Sequence, residues 1–181
     1  NLNRDGYLTT GGLTNSASKP EIEAFDDNLS RIEIWKGDKE VTQWTNVSKN
    51  TTTYKSISWL RDGTYTIRAY DEANDASDDF IVTIDNTKPV ITSDMVDYVR
   101  GDITTHVNQT EQNPNRMYVE YDQRVGDKWV KKQGGWTYNA NTAELTADTT
   151  KWDDGLYQLH VVSDDQAWNH SVYIKSFTVD N

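Results

Sequence analysis

One short phrase occurs twice and sets most of what this chain can become. Asp62-Gly63-Thr64-Tyr65-Thr66-Ile67 returns as Asp154-Gly155-Leu156-Tyr157-Gln158-Leu159, 92 residues later. Asp71-Glu72-Ala73 then returns as Asp165-Gln166-Ala167, and the copies close alike on Ile84-Asp85-Asn86 and Val179-Asp180-Asn181. A tryptophan precedes each Asp-Gly, Trp59 and Trp152, and reads as a matched pair packing on the core. Features repeated in one order imply two copies of a module of about 90 residues, a size that suits one small sandwich domain. The seam falls near Thr87-Lys88-Pro89, giving modules 1–86 and 87–181, because a proline sits well at the start of an edge strand.

Each module reads as strands. Sustained i, i+3, i+4 apolar spacing is missing, and period-2 alternation replaces it. Tyr65, Ile67 and Ala69 share one face against Thr66, Arg68 and Tyr70, and Tyr157, Leu159 and Val161 repeat the pattern. Turn signals separate the runs, at Gly37-Asp38, Asp62-Gly63, Gly126-Asp127 and Gly134-Gly135. The expected fold is all-β: two tandem antiparallel sandwiches.

Composition narrows the function. The chain holds 18 basic and 29 acidic residues, a formal net charge of −11, which disfavours nucleic acid and an anionic membrane surface. Cysteine is absent, so disulfides and thiolate metal sites are excluded. No apolar run is long enough to span a bilayer as a helix. No leader is in view, so the chain reads as a mature protein or a piece of a longer one.

The repeated Asp-Gly-x-Tyr has a physical use. Glycine admits a positive φ, the aspartate can bond the turn amides, and the tyrosine can bury its ring while its hydroxyl bonds nearby backbone. That is the logic of a tyrosine corner. With Asp71-x-Ala73 and Ile84-Asp85-Asn86-Thr87-Lys88-Pro89-Val90-Ile91, it resembles the tandem bacterial Ig-like repeats of cell-surface and secreted proteins. The resemblance implies Ig-like sandwiches, an extracellular location, and a role in adhesion or as a spacer. It also implies neighbouring Ig-like modules, of the same or like chains, as partners. Such repeats usually carry Gly-Asn in the F–G loop after Asp-x-Ala, where Asn74-Asp75 and Trp168-Asn169 stand here. The first module has no Thr-Lys-Pro entry, so its first strand falls to the Tyr7-Leu8-Thr9 region or is supplied from upstream.

Catalysis is not expected. Three histidines, no Gly-x-Ser-x-Gly, no His-Glu-x-x-His and no glycine-rich phosphate loop leave no catalytic constellation. Adjacent aspartates are better explained as turn caps than as a glycosidase pair. No cofactor is required. Calcium is the one ion the acidic loops suit, with Asp71, Asp75, Asp85, Asp165 and Asn169 as candidate oxygen ligands near the F–G loops and the seam. Trp168, Trp136 and Trp129 fall in or near turns and edges and are the candidate ligand-binding residues, for a glycan or for a host or matrix protein. Trp168 stands out because it fills a place where a small residue is usual. Alternatives to the adhesion or stalk role are a carbohydrate-binding accessory module of a secreted hydrolase and a structural subunit of a surface filament or layer. Arg100-Gly101-Asp102 reads as a turn rather than as an integrin ligand.

Overall fold

The computed structural model describes the backbone of residues 7–9 and the whole of residues 12–181. The chain divides into two compact units, Asn1–Thr87 and Lys88–Asn181. The first contains β1 (Tyr7–Thr9), β2 (Leu13–Thr14), β3 (Glu21–Phe25), β4 (Leu29–Lys36), β5 (Lys39–Trp44), β6 (Thr53–Ser56), β7 (Gly63–Asp71) and β8 (Phe80–Ile84). The second contains β9 (Val90–Ser93), β10 (Tyr98–Val99), β11 (Asp102–Thr110), β12 (Pro114–Val125), β13 (Lys128–Tyr138), β14 (Thr142–Asp148), β15 (Gly155–Asp165) and β16 (His170–Val179).

Both units have the same topology. In the first, β1-β3-β6 form one sheet and β2-β8-β7-β4-β5 the other. In the second, β9-β11-β14 face β10-β16-β15-β12-β13. Among the described residues, pairing is antiparallel except at one edge of each unit, where β2 runs parallel to β8 and β10 parallel to β16. The first strand is thus split between the sheets: β1 and β9 pair with one, and β2 and β10 cross to the other. The Tyr7-Leu8-Thr9 segment supplies the first of these pieces, β1, at the edge of the three-stranded sheet.

Alternation builds the cores. Strand β7 buries Tyr65, Ile67 and Ala69, and β15 buries Tyr157, Leu159 and Val161. Ile22, Ile32, Ile34 and Ile84 complete the first core; Val107, Met117, Tyr121 and Phe177 complete the second. A fully buried side chain of this size contributes about 1.5–3 kcal/mol, so a small sandwich depends on nearly every one.

The repeated phrase forms the same corner twice. Gly63 and Gly155 take positive φ, 153° and 140°. The Tyr65 hydroxyl donates to the Arg61 carbonyl at 2.7 Å, and Tyr157 donates to the Asp153 carbonyl at 2.8 Å. The aspartates do not bond the turn amides. Asp62 accepts from the Asn86 amide at 3.0 Å and Asp154 from the Asn181 amide at 2.9 Å. Each of these amides lies past the end of the last strand, where it needs an acceptor. The two asparagines then reach the turns that follow β2 and β10: Ser16 N–H donates to Asn86 Oδ1 at 2.8 Å and Gly101 N–H to Asn181 Oδ1 at 3.1 Å. Gly101 is thereby held in a structural turn.

The tryptophan pair is out of register by one residue. Leu60 N–H bonds the Ile57 carbonyl and Trp152 N–H bonds the Thr149 carbonyl, so Leu60 is the counterpart of Trp152. Trp152 packs on the second core, stacked on Tyr157 with centroids 5.2 Å apart. Leu60 is buried in the first core, whereas Trp59 is 52% exposed and meets Trp44 edge-on.

Candidate functional site

The outward face of the five-stranded sheet in the second unit carries the exposed Trp129, Trp136 and Tyr138, with the exposed Trp168 in the β15–β16 loop beside it. Register lays that face out in rows running from β16 through β15 and β12 to β13. His170, Asp164, Arg116 and Tyr138 form one row, and Val172, Val162, Tyr118 and Trp136 the next. Ile174, His160, Glu120 and Gly134 follow, then Ser176, Gln158, Asp122 and Lys131.

Arg116 organises the upper end. Its Nε donates to Asp164 Oδ2 at 2.9 Å, and His170 Nδ1 lies 2.6 Å from the other carboxylate oxygen. Burial opposes ionisation of Asp164, but the hydrogen bonds from His170 and Arg116 outweigh it and hold the carboxyl below its usual range. Arg116, so anchored, lies 5.7 Å from the Trp136 ring and 5.4 Å from the Trp168 ring. Trp136 and Trp168 therefore share one cation, although 31 residues separate them in the chain. Trp136 also stacks on Tyr138 at 6.0 Å and leans on Tyr118 at 4.8 Å.

Trp168 owes its position to the F–G loop. Asp165 Oδ1 accepts from the Asn169 amide at 2.8 Å, and backbone bonds join Asp165 to Asn169 and Trp168. The tight loop forces left-handed backbone at its fourth residue. Trp168 has φ 67°, and Asn74 at the same place in the first unit has φ 65°. Asparagine tolerates that conformation, whereas a bulky side chain there is an outlier. Trp168 is nonetheless 60% exposed.

Glycine shapes the middle of the face. A Cβ on Gly134 would lie 2.5 Å from the Tyr118 hydroxyl oxygen and 2.8 Å from its Cζ. The bare backbone is thus the seat of the Tyr118 ring. Lys131 sits 4.9 Å from that ring. A hydrogen bond with Tyr118 holds its ammonium above the ordinary lysine range. At the far end of β13, Arg124 lies 5.1 Å from the Trp129 ring. Trp129 is thus on the same strand as Trp136 but apart from the Trp168–Arg116–Trp136 group.

Two carboxylate groups bear on metal binding. Glu120, Asp122 and His160 bring one ligand atom each within 4.8 Å, with His160 Nδ1 at 2.9 Å from Glu120 and 3.7 Å from Asp122. Glu111, between β11 and β12, and Asp165, at the end of β15, are both buried and place carboxylate oxygens within 4.8 Å of each other. Of the candidate calcium ligands, Asp165 and Asn169 are joined side chain to side chain at 2.8 Å. Asp71 caps the Asp75 amide at 2.9 Å, and Asp85 caps the Thr87 amide at 2.9 Å. Glu111, Glu120 and Asp122 escaped the sequence reading because strand register and loop packing, not spacing, bring them to their partners. Arg116 escaped for the same reason.

No protein-family model and no curated protein sequence matches the chain. Among solved structures, 97% of it is similar to 49% of a tetra-tandem repeat from the extending region of a large adhesion protein, at 16% identity and TM-score 0.46. The same share is similar to 20% of dimeric latent PorU from Porphyromonas gingivalis, at 18% identity and TM-score 0.40. A biofilm-associated protein's BSP domain is similar over 96% of this chain and 29% of its own, at 18% identity and TM-score 0.33. The chain thus spans about half of the first of these and less than a third of the others. Among the described residues, no helix is long and apolar enough to cross a membrane.

Proposed function

We propose that this chain is a non-catalytic, extracellular Ig-like module pair of a bacterial surface protein, and that it acts in adhesion through the outward face of the second unit. One observation carries the reading. Trp168 is held in left-handed backbone and 60% exposed, on a cation it shares with the exposed Trp136. Local strain with so little burial in return is the mark of a residue kept for contact with something else. Aromatic rings on a rigid sheet are suited to that task, because little side-chain freedom is lost when they are covered.

The second reading, a carbohydrate-binding accessory module of a secreted hydrolase, uses the same face, and the row of flat rings favours it. A stalk or a filament subunit would need no such face. For calcium, the place we propose is the loop end of the second unit, where Glu111 and Asp165 approach each other.

The test is binding of the labelled chain to a panel of glycans and matrix proteins, in calcium and again in EDTA. A specific ligand whose binding is lost in Trp136→Ala and Trp168→Ala is the expected result. Loss in EDTA would add the acidic loops to the site. A blank panel would return the chain to the stalk reading.

A further inference from the structure

The charge of the second unit is not spread evenly. The β12–β13 hairpin, residues 114–138, carries five basic and three acidic residues. The rest of the unit carries four basic and eleven acidic residues. The one net-positive segment is therefore also the one that carries Tyr118, Trp129, Trp136 and Tyr138. Its cations are interleaved with its rings: Arg116 against Trp136, Lys131 against Tyr118, and Arg124 against Trp129. Among the described residues, Arg124, Lys128, Lys131 and Lys132 form no ion pair. The hairpin's two face-directed acids are hydrogen-bonded to β15, while their charge still reaches Lys131. Glu120 is bonded to His160 at 2.9 Å and Asp122 to Gln158 at 2.8 Å, both on β15.

The arrangement is also linear. Strand β13 is the free edge of its sheet. Tyr138, Trp136, Gly134, Lys131 and Trp129 follow one another along its outward side, over about 30 Å at 3.3 Å per residue. The Tyr118 ring fills the step at Gly134. A compact protein partner favours a central anchor cluster ringed by contacts that exclude water. A stripe of rings alternating with cations instead suits an extended chain of flat, hydroxylated rings with intermittent negative charge.

From this we infer that the ligand of the face is a linear anionic polysaccharide lying along β13. Its sugar rings rest on Tyr138, Trp136, Tyr118 and Trp129, and its acid groups meet Lys131 and Arg124. The inference rests on the proposal that this face is a recognition surface, and it names the ligand class. Sparse charge matters. A nucleic acid presents a phosphate at every nucleotide and would meet the field of a chain of net charge −11. A polysaccharide with one acid group every sugar or two needs only the few cations that the stripe supplies, and guanidinium pairs well with carboxylate or sulfate.

The experiment immobilises polygalacturonate, hyaluronan, dextran and single-stranded DNA, and measures binding of the intact chain at low and high salt. It compares wild type with Trp136→Ala and with the double variant R124E/K131E. Both sets of substitutions are at solvent-exposed positions, and a circular-dichroism melt checks that each variant folds. Expected is binding to polygalacturonate, to hyaluronan, or to both, and the pattern tells one acid group per sugar from one per two sugars. Trp136→Ala should weaken it about tenfold. R124E/K131E should abolish it, and high salt should weaken it in wild type. Equal binding to dextran, unchanged in R124E/K131E, would overturn the anionic assignment and leave the recognition face standing. Equal binding to DNA would overturn the polysaccharide assignment. A ligand from any source that binds Trp136→Ala and Trp168→Ala as tightly as wild type would overturn the recognition face itself.

Discussion

The two units place an arginine at the same point of the same strand and use it differently. In the first, Arg31 lies 3.8 Å from the Tyr70 ring, donates to Asn74 at 2.9 Å, and bonds Glu33 at 3.0 Å. Glu33 in turn takes the Trp35 indole N–H at 3.0 Å. Arg31, Asn74, Glu33 and Trp35 are thus joined by hydrogen bonds among themselves. In the second, the counterpart Arg116 bonds Asp164 and reaches Trp168, the residue in the place of Asn74. The left-handed loop residue is held by a hydrogen bond in one unit and by a ring contact in the other. One frame thus carries a closed surface and an open one. The difference lies in a single loop residue and in a hairpin that runs over residues 29–44 in the first unit and 114–138 in the second.

The comparison breaks most severely at the tyrosine corners. Tyr65→Ala and Tyr157→Ala should each destabilise their own unit by about 3–5 kcal/mol, measured by denaturant unfolding. Only Tyr157→Ala should also abolish ligand binding. If Tyr65→Ala abolished it equally, the binding face would not belong to the second unit alone.

Gly134→Ala is next. The new Cβ collides with the seated Tyr118 ring, so the ring must lift from β13. A loss of about 1–3 kcal/mol is expected. The Tyr118 ring proton shifts should report the displacement. At the neighbouring Gly135 an added Cβ would meet nothing within 4 Å, so alanine there should produce neither effect.

The smaller test exchanges the loop residues. Trp168→Asn gives the second unit the first unit's loop, and stability should change by less than about 1 kcal/mol, because relief of left-handed strain offsets the lost ring contact. Ligand binding should nevertheless fall. A large drop in melting temperature with binding retained would make Trp168 a packing residue.

The smallest effect concerns pH, and only the second unit contains histidine. The hydrogen bond to Asp94, with the nearby Glu144, holds His106 above the usual imidazole range. A raised value means the interaction stabilises fully below about pH 6.5 and is lost as pH rises through the folded-state value. Asp164 has the opposite sign: its contribution is present above its unfolded range near pH 3.8 and is lost as pH falls. Proton NMR of His106 should show titration above about 6.5, and Asp94→Asn should return it toward that value.

The frame was legible because its signals are local. Strand alternation needs two-residue steps, and the tyrosine corner closes over four residues, from Tyr65 to Arg61 and from Tyr157 to Asp153. The split first strand was not legible, since Leu13–Thr14 and Tyr98–Val99 are too short to alternate. The tryptophan pair misled because side-chain identity matched where backbone register did not: Leu60, not Trp59, holds the place of Trp152. For the proposed binding face, sequence could flag Trp168 by its loop position. It could not join it to Arg116, 52 residues away, because that contact depends on which strands become neighbours.

The parallel edge pairs have a mechanical consequence. Within the second unit, β10 comes near the start of the chain path and β16 at its end, and the two run the same way. A pull on the two ends drags them past each other lengthwise. Thr178 N–H to the Asp97 carbonyl and Asp180 N–H to the Val99 carbonyl, at 2.8 and 3.1 Å, then bear the load together in shear rather than opening one by one. Asn181, bonded to Gly101, acts as the latch at the pulled end. A tethered molecule of this build should yield abruptly at high force in single-molecule stretching, and Asn181→Ala should lower that force.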